Sequence, residues 1–187
     1  MHAVLKSAFD DMSEELAHFD ATSANVHPRG LLHCWTVRQV VEHLVLSMDA
    51  TCKELEQRLE KGRVQRRVQR TRAEWALQLM VLSMGHMPRG VPAIPETVPA
   101  TEEGTVGVRD LVAQLEAAIE KMDATFDQAR QMFGMERVGR HFLLGPLRVD
   151  QWRRYHVLHL RHHLKQVADV RQTLSVEVRH SPAMASV

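Results

Sequence analysis

The chain has 187 residues, 44% hydrophobic and 25% charged, with a net charge of +1 when its histidines are neutral. That length supports one domain with a sizeable core, and so small a charge excludes whole-molecule attraction to a polyanion such as nucleic acid. Two cysteines, Cys34 and Cys52, are too few for a disulfide framework. The acidic opening MHAVLKSAFDDMSEEL does not read as a secretory leader, and no run approaches the ~18 apolar residues of a membrane span. A cytoplasmic protein with no membrane partner is therefore expected. Aromatics are 5%, so Leu, Val, Met and Ala must fill the core, and twelve histidines are an excess that hints at metal or proton chemistry.

Residues 3–20 place Val4, Leu5, Phe9, Met12, Leu16 and Phe19 at helical spacing, with Asp10, Asp11, Glu14 and Glu15 on the other side. The segment TSANVHPRGLLHC reads as a loop closed by Pro28 and Gly30. A second helix starts at Thr36, which with Gln39 fits a capping box. Val37, Val40, Val41, Leu44, Met48, Leu55 and Leu59 then hold the period to Gly62, with His43 at the edge of that face beside Gln39 and Ser47. The basic run at 58–72 reads as a solvated loop or helix end. Thr71 and Glu74 form a second capping box, opening a short helix that carries Trp75, Leu79, Met80 and Leu82 to Gly85. Four prolines between 88 and 99, with Gly85, Gly90, Gly104 and Gly107, make 85–107 a long loop of the functional or poorly ordered kind. A further helix spans about 108–132 on Leu111, Leu115, Ile119, Met122 and Phe126. The turn-rich link FGMERVGRHFLLGPLR leads to the last helix, WRRYHVLHLRHHLKQVADVRQ.

No segment alternates with period two over a useful length. The expected class is all-α, an up-down four-helix bundle with an extra short helix and a long Pro-rich loop. One domain is expected over 1–174, with 175–187 a flexible tail. Ligand sites in such bundles are built from side chains on facing helices.

The last helix holds a third of the histidines. Trp152, His156, His159, His163, Gln166 and Val170 share one stripe, beside an apolar stripe of Leu160, Leu164, Val167 and Leu174. His159 and His163, four apart, stand one turn apart on one face and can share a metal ion at nitrogen distances of about 2.0–2.1 Å for zinc. His43 is the candidate third ligand. Three neutral imidazoles leave a coordination position for water or substrate, and imidazole suits zinc, nickel, copper and iron alike. His156 lies one turn up the same stripe and can be a supporting residue or stand in for His159. His162 points about 100° away from His163 and reads as surface. Gln166 can orient a ligand. Trp35, Trp75 and Trp152 read as core or pocket wall, and Cys34 and Cys52 as small buried hydrophobes.

At WTVRQVVEHL (35–44) and HFLLGPLRVDQWRRYHVLHLRHHLKQ (141–166) the chain resembles the DinB/YfiT-like metalloenzyme superfamily. The resemblance covers most of the chain as an arrangement of helices. It implies a four-helix bundle with His43, His159 and His163 as ligands of a divalent metal ion. Some members are thiol transferases or hydrolases acting through a low-molecular-weight thiol. Arg148 stands where relatives commonly begin the last helix with a Ser or Thr cap, and Asp150 is left to cap in part. The function so implied is a metal-dependent thiol S-transferase or hydrolase on a small-molecule substrate, the ion activating a water or thiol. The alternative is a non-catalytic metal- or small-molecule-binding helical bundle, its site structural or vestigial. An exposed apolar face would let either pair as a homodimer.

Overall fold

The helical periodicities become five helices among the described residues, joined by one antiparallel hairpin. This is a computed structural model, describing residues 1–27, 35–64, 69–88, 90–100 and 105–180, with the backbone alone for 175–180. The loop residues Pro28 and Gly30, Cys34, part of the basic run (65–68) and residues 181–187 lie outside the described residues.

Helix α1 is Ala3–Leu16, shorter than its sequence period. Ala17 caps it, and just beyond, the Asp20 carboxylate accepts from the Thr22 and Ser23 N–H groups at 3.0 and 2.7 Å, a local alternative to the helical ladder. Phe19 is nonetheless buried. Helix α2, Val37–Lys61, opens on the expected capping box, with the Gln39 N–H donating to Thr36 Oγ1 and the Thr36 N–H to Gln39 Oε1. It closes at Gly62, whose φ of 60° is left-handed and cheap only for glycine. Helix α4 is Val108–Phe133. Helix α5 begins at Val149 and runs to His180, beyond the Leu174 at which a tail was expected to begin. Its first turn is held by Gln151, whose Oε1 accepts from the Arg148 N–H at 3.0 Å. Asp150 does not cap; it pairs with the Arg148 guanidinium at 3.0 Å.

Helix α2 lies along α4 and α1 along α5, and α2 also touches α5. Between them Leu5, Met12, Leu16, Leu44, Met48, Leu55, Leu115, Ile119, Met122 and Phe126 are sealed from solvent. Arg153 of α5 reaches the α4 carboxylates of Asp123 and Asp127 at 3.0 and 2.8 Å. Among the described residues no helix is long and apolar enough to cross a membrane.

Two further expectations need correction. The class is not purely all-α: strands β1, Arg137–His141, and β2, Gly145–Arg148, pair antiparallel within the stretch read as a link. A register irregularity between Arg137 and Gly139, and two Gly and a Pro in strands of five and four residues, erase the period-two signal. The short helix is also turned over. Helix α3, Arg72–Gln78, buries Glu74 and Gln78, while Trp75 and Leu79 are 52% and 45% exposed. The chain then passes into a π-helical turn, Leu79–Ser83.

The polar face of α3 is buried because the hairpin satisfies it. Gln78 Nε2 donates to the carbonyls of Leu144 and Pro146 at 2.7 and 3.2 Å. Glu74 accepts from the Thr71 N–H at 2.9 Å and pairs with Arg140 of β1. Gly145 sits under that carboxylate with φ 71°, and a Cβ there would fall 2.5 Å from Glu74 Cδ. Gly145→Ala is expected to cost at least about 1–2 kcal/mol from the left-handed backbone alone, read as a lower denaturant midpoint at unchanged slope; an unaltered midpoint would show that α3 does not clamp the hairpin this closely.

Candidate metal centre

His43 comes from the second turn of α2, and His159 and His163 from successive turns of α5. Where the two helices meet, the rings converge. His43 and His159 centroids are 5.2 Å apart, His43 and His163 5.0 Å, and His159 and His163 4.6 Å. All three residues are buried. His159 Nε2 lies 3.3 Å from His43 Nε2 and 3.0 Å from His163 Nε2. Nitrogens about 2.0–2.1 Å from a tetrahedral ion would stand at about this separation from one another.

The far sides of two rings decide which nitrogens face inward. The carbonyl of Thr97 lies 2.7 Å from His43 Nδ1; since a carbonyl only accepts, Nδ1 carries the proton and Nε2 presents a lone pair. Gln166 Oε1 lies 2.7 Å from His163 Nδ1 and fixes that ring in the same sense. His159 Nδ1 is buried with no hydrogen-bond partner. At most one proton, on His159 Nε2, can lie between the three facing nitrogens, so at least two lone pairs converge on one point. Burial holds the set neutral. It lowers His43, against the opposing Thr97 bond; it lowers His163 to about 3, helped by His43 and His162 and opposed by Gln166; and it lowers His159 well below the ordinary value. Three neutral imidazoles within this spacing can hold a metal ion, and the orienting oxygens behind two of them are the usual companions of metal-bound histidine.

The Thr97 carbonyl belongs to the Pro-rich segment, which forms a 3₁₀ turn at Pro95–Thr97. That segment is tied to α2 a second time, by the Ala100 N–H donating to Glu42 Oε1 at 3.0 Å. It roofs a cavity of about 780 Å³ that opens onto the three histidines. Val91, Pro92 and Ile94 form part of its lining, with Trp35, Val81 and Leu144. Trp35 also packs on His43, centroids 4.7 Å apart.

The other candidates fall outside the triad. His156 gives its Nε2–H to Thr51 Oγ1 at 3.0 Å, because the Thr51 hydroxyl is itself donated to the Ser47 carbonyl; its Nδ1 has no partner. His162 is half-buried at the cavity rim rather than on the open surface. Trp152 is buried in the cavity wall, as expected, and Cys52 is buried with its thiol pushed up by that burial. Sequence reasoning missed the Thr97 carbonyl, which as a backbone group leaves no residue-type signal. It also missed Glu54, Tyr155 and His141, all in the cavity lining. The spacing 43, 47, 51, 54 down one face of α2 was a usable sign of Glu54.

The sequence profile of a family described as "Protein of unknown function (DUF1569)" matches residues 7–170. The chain belongs to that family. The matched region spans all three histidines, the Pro-rich segment and the hairpin. No curated protein and no solved structure matches the chain.

Burial of neutral histidines makes the fold acid-sensitive. His141 and His156 are both lowered to about 3, chiefly by desolvation. An unfolded histidine takes its proton near pH 6.5, so between there and about 3 the unfolded chain holds protons that the folded chain refuses. Stability therefore falls as pH falls through that window, by about 1.4 kcal/mol per pH unit for each such group. In chelator-treated protein, His156→Leu is expected to flatten the stability-versus-pH slope by about that amount over the window. A slope equal to the parent's would mean that His156 is protonated in the fold.

Proposed function

We propose that the protein is a metal-dependent enzyme of the DinB/YfiT type, its four long helices forming that superfamily's bundle. In this reading a divalent ion, zinc, nickel or iron, is held by Nε2 of His43, His159 and His163. The observation that carries it is the convergence of the three buried Nε2 atoms, with lone pairs fixed inward by the Thr97 carbonyl and Gln166. Such an ion supplies Lewis-acid polarisation and lowers the pKa of a group bound opposite the imidazoles.

The remaining work falls to the chain. The apolar walls of the cavity exclude water from a small-molecule substrate. Glu54 stands eleven residues, roughly 16 Å of helix rise, from His43, and is engaged by Arg58 at 2.9 Å. It therefore does not take a proton at the triad. A thiol, with an ordinary pKa near 8.5, needs less assistance to ionise than water does. The reading accordingly favours transfer of a low-molecular-weight thiol to an electrophile over hydrolysis. A second reading, a non-catalytic bundle with a structural ion, draws on the position of the triad at the contact of α2 with α5, where an ion would tie two helices.

Elemental analysis of protein purified without a histidine tag is expected to give one divalent ion per chain. His43→Ala, His159→Ala and His163→Ala should each abolish it, and Gln166→Ala should weaken it by about 10- to 100-fold. The enzymatic reading expects the metal-free variants to keep a cooperative melt; unfolding on metal loss would establish the structural reading instead, and an untagged protein without stoichiometric metal would remove both.

A further inference from the structure

Two buried polar groups in the cavity wall have no part in holding the triad. His141 ends β1, and its Nδ1 accepts from the backbone N–H groups of Leu143 and Leu144 at 3.1 and 3.2 Å. Both contacts are donations into that nitrogen, so the proton sits on Nε2. The ring is clamped by Tyr155 and Trp152, centroids 4.4 and 5.5 Å away. Tyr155 in turn stacks on His159 at 5.3 Å, which links His141 to the triad through one ring. His141 and Tyr155 are 6% and 8% exposed. Neither His141 Nε2 nor the Tyr155 hydroxyl has a hydrogen-bond partner among the described residues, and neither is among the atoms sealed from solvent. Both residues line the cavity, the open space that lies beside these two donors.

Buried donors ordinarily have partners. Here two of them, held in place by other contacts, line a cavity whose surface is mostly apolar but which also carries Glu54, Arg140 and Asp169. We propose that His141 Nε2–H and the Tyr155 hydroxyl form a two-donor subsite for the carbonyl oxygen of an otherwise apolar small molecule, seated beside the triad. This deepens the metal-enzyme reading by naming its substrate class, and it rests on that reading only for the neighbour it places next to the carbonyl. Both donors are neutral. Burial lowers His141 to about 3, so its ring stays uncharged at neutral pH and donates without demanding an anion. A ketone, ester or amide oxygen fits such a pair, and donors oriented beforehand lose little in reorganising around it. The roof of Pro92 and Ile94 and the wall of Trp35 and Val81 take the hydrocarbon part.

The test uses butyrophenone and its hydrocarbon counterpart butylbenzene, titrated into the full chain and followed by tryptophan fluorescence, in which the cavity residues Trp35 and Trp152 change over the constant signal of the exposed Trp75. Each titration is made with metal-loaded and with chelator-treated protein. Tyr155→Phe removes one donor and keeps the ring. His141→Asn removes the other, while its amide oxygen can still accept the turn N–H groups that Nδ1 accepts now. The ketone is expected to bind at least tenfold tighter than the hydrocarbon, in both metal states. Each variant should lose most of that preference without weakening butylbenzene and without losing metal. Equal affinity of the two ligands, no binding of the ketone, or variants that weaken both ligands alike would overturn the subsite. A preference that disappears with the metal but survives both substitutions would overturn it too, while leaving the metal centre standing. If the protein takes up no metal on loading, a preference that is still lost in the variants would keep the subsite and remove the metal reading.

Discussion

The Thr97 carbonyl decides what the centre of this protein can do. It accepts a hydrogen bond from the Nδ1–H of His43 and so turns the Nε2 lone pair toward His159 and His163. Without that bond the buried ring could adopt either tautomer, and one of them would aim an N–H at two other nitrogens. A backbone acceptor is a firm choice for the task, since it cannot be titrated and is fixed by the 3₁₀ turn around it. The apparently unstructured Pro-rich segment is therefore a component of the site. Its prolines limit the backbone conformations open to it, and the bond from Ala100 to Glu42 ties its far side to the same helix that carries His43.

The hairpin has a comparable place on the other side of the cavity. It is too short to stand alone, and it is held by the polar face of α3, which a hydrophobic reading would have left in solvent. Glu74 and Gln78 are buried because they have carbonyls, a capped N–H and an arginine to answer. Their reward to the structure is position: they set β1 so that His141 reaches the cavity. Burial that would be costly for an unanswered polar group thus becomes a means of aiming a side chain. Four buried histidines beside one cavity, and a fifth against Thr51, are kept neutral by the same desolvation, and that neutrality serves ligand and donor roles alike.

How much of this was legible in the sequence follows from what kind of signal each feature leaves. Capping boxes at Thr36 and Thr71, and the apolar periods of α2 and α4, are local patterns, and each appears where the residues put it. The pair His159 and His163 was legible for the same reason, since four residues is one turn of any helix. The burial of Glu74 in place of Trp75 was not, because both faces of a seven-residue helix are plausible until something packs on one of them. The hairpin was hidden by its own Gly, Pro and register irregularity. Arg148 was a helix start without a familiar cap, and its N–H was answered by Gln151 rather than by Asp150.

The sequence alone determined the helices, the capping boxes at Thr36 and Thr71, the one-turn spacing of two imidazoles and the candidacy of a third, because each depends on contacts within a few residues along the chain. Only the tertiary structure decided that His43 lies beside the other two, which nitrogen each ring presents, and that His141 and Tyr155 share their cavity. For His43 those facts depend on groups more than fifty residues away, one of them a backbone carbonyl that every residue type carries equally, whereas the nitrogen that His163 presents is set by Gln166 three residues on.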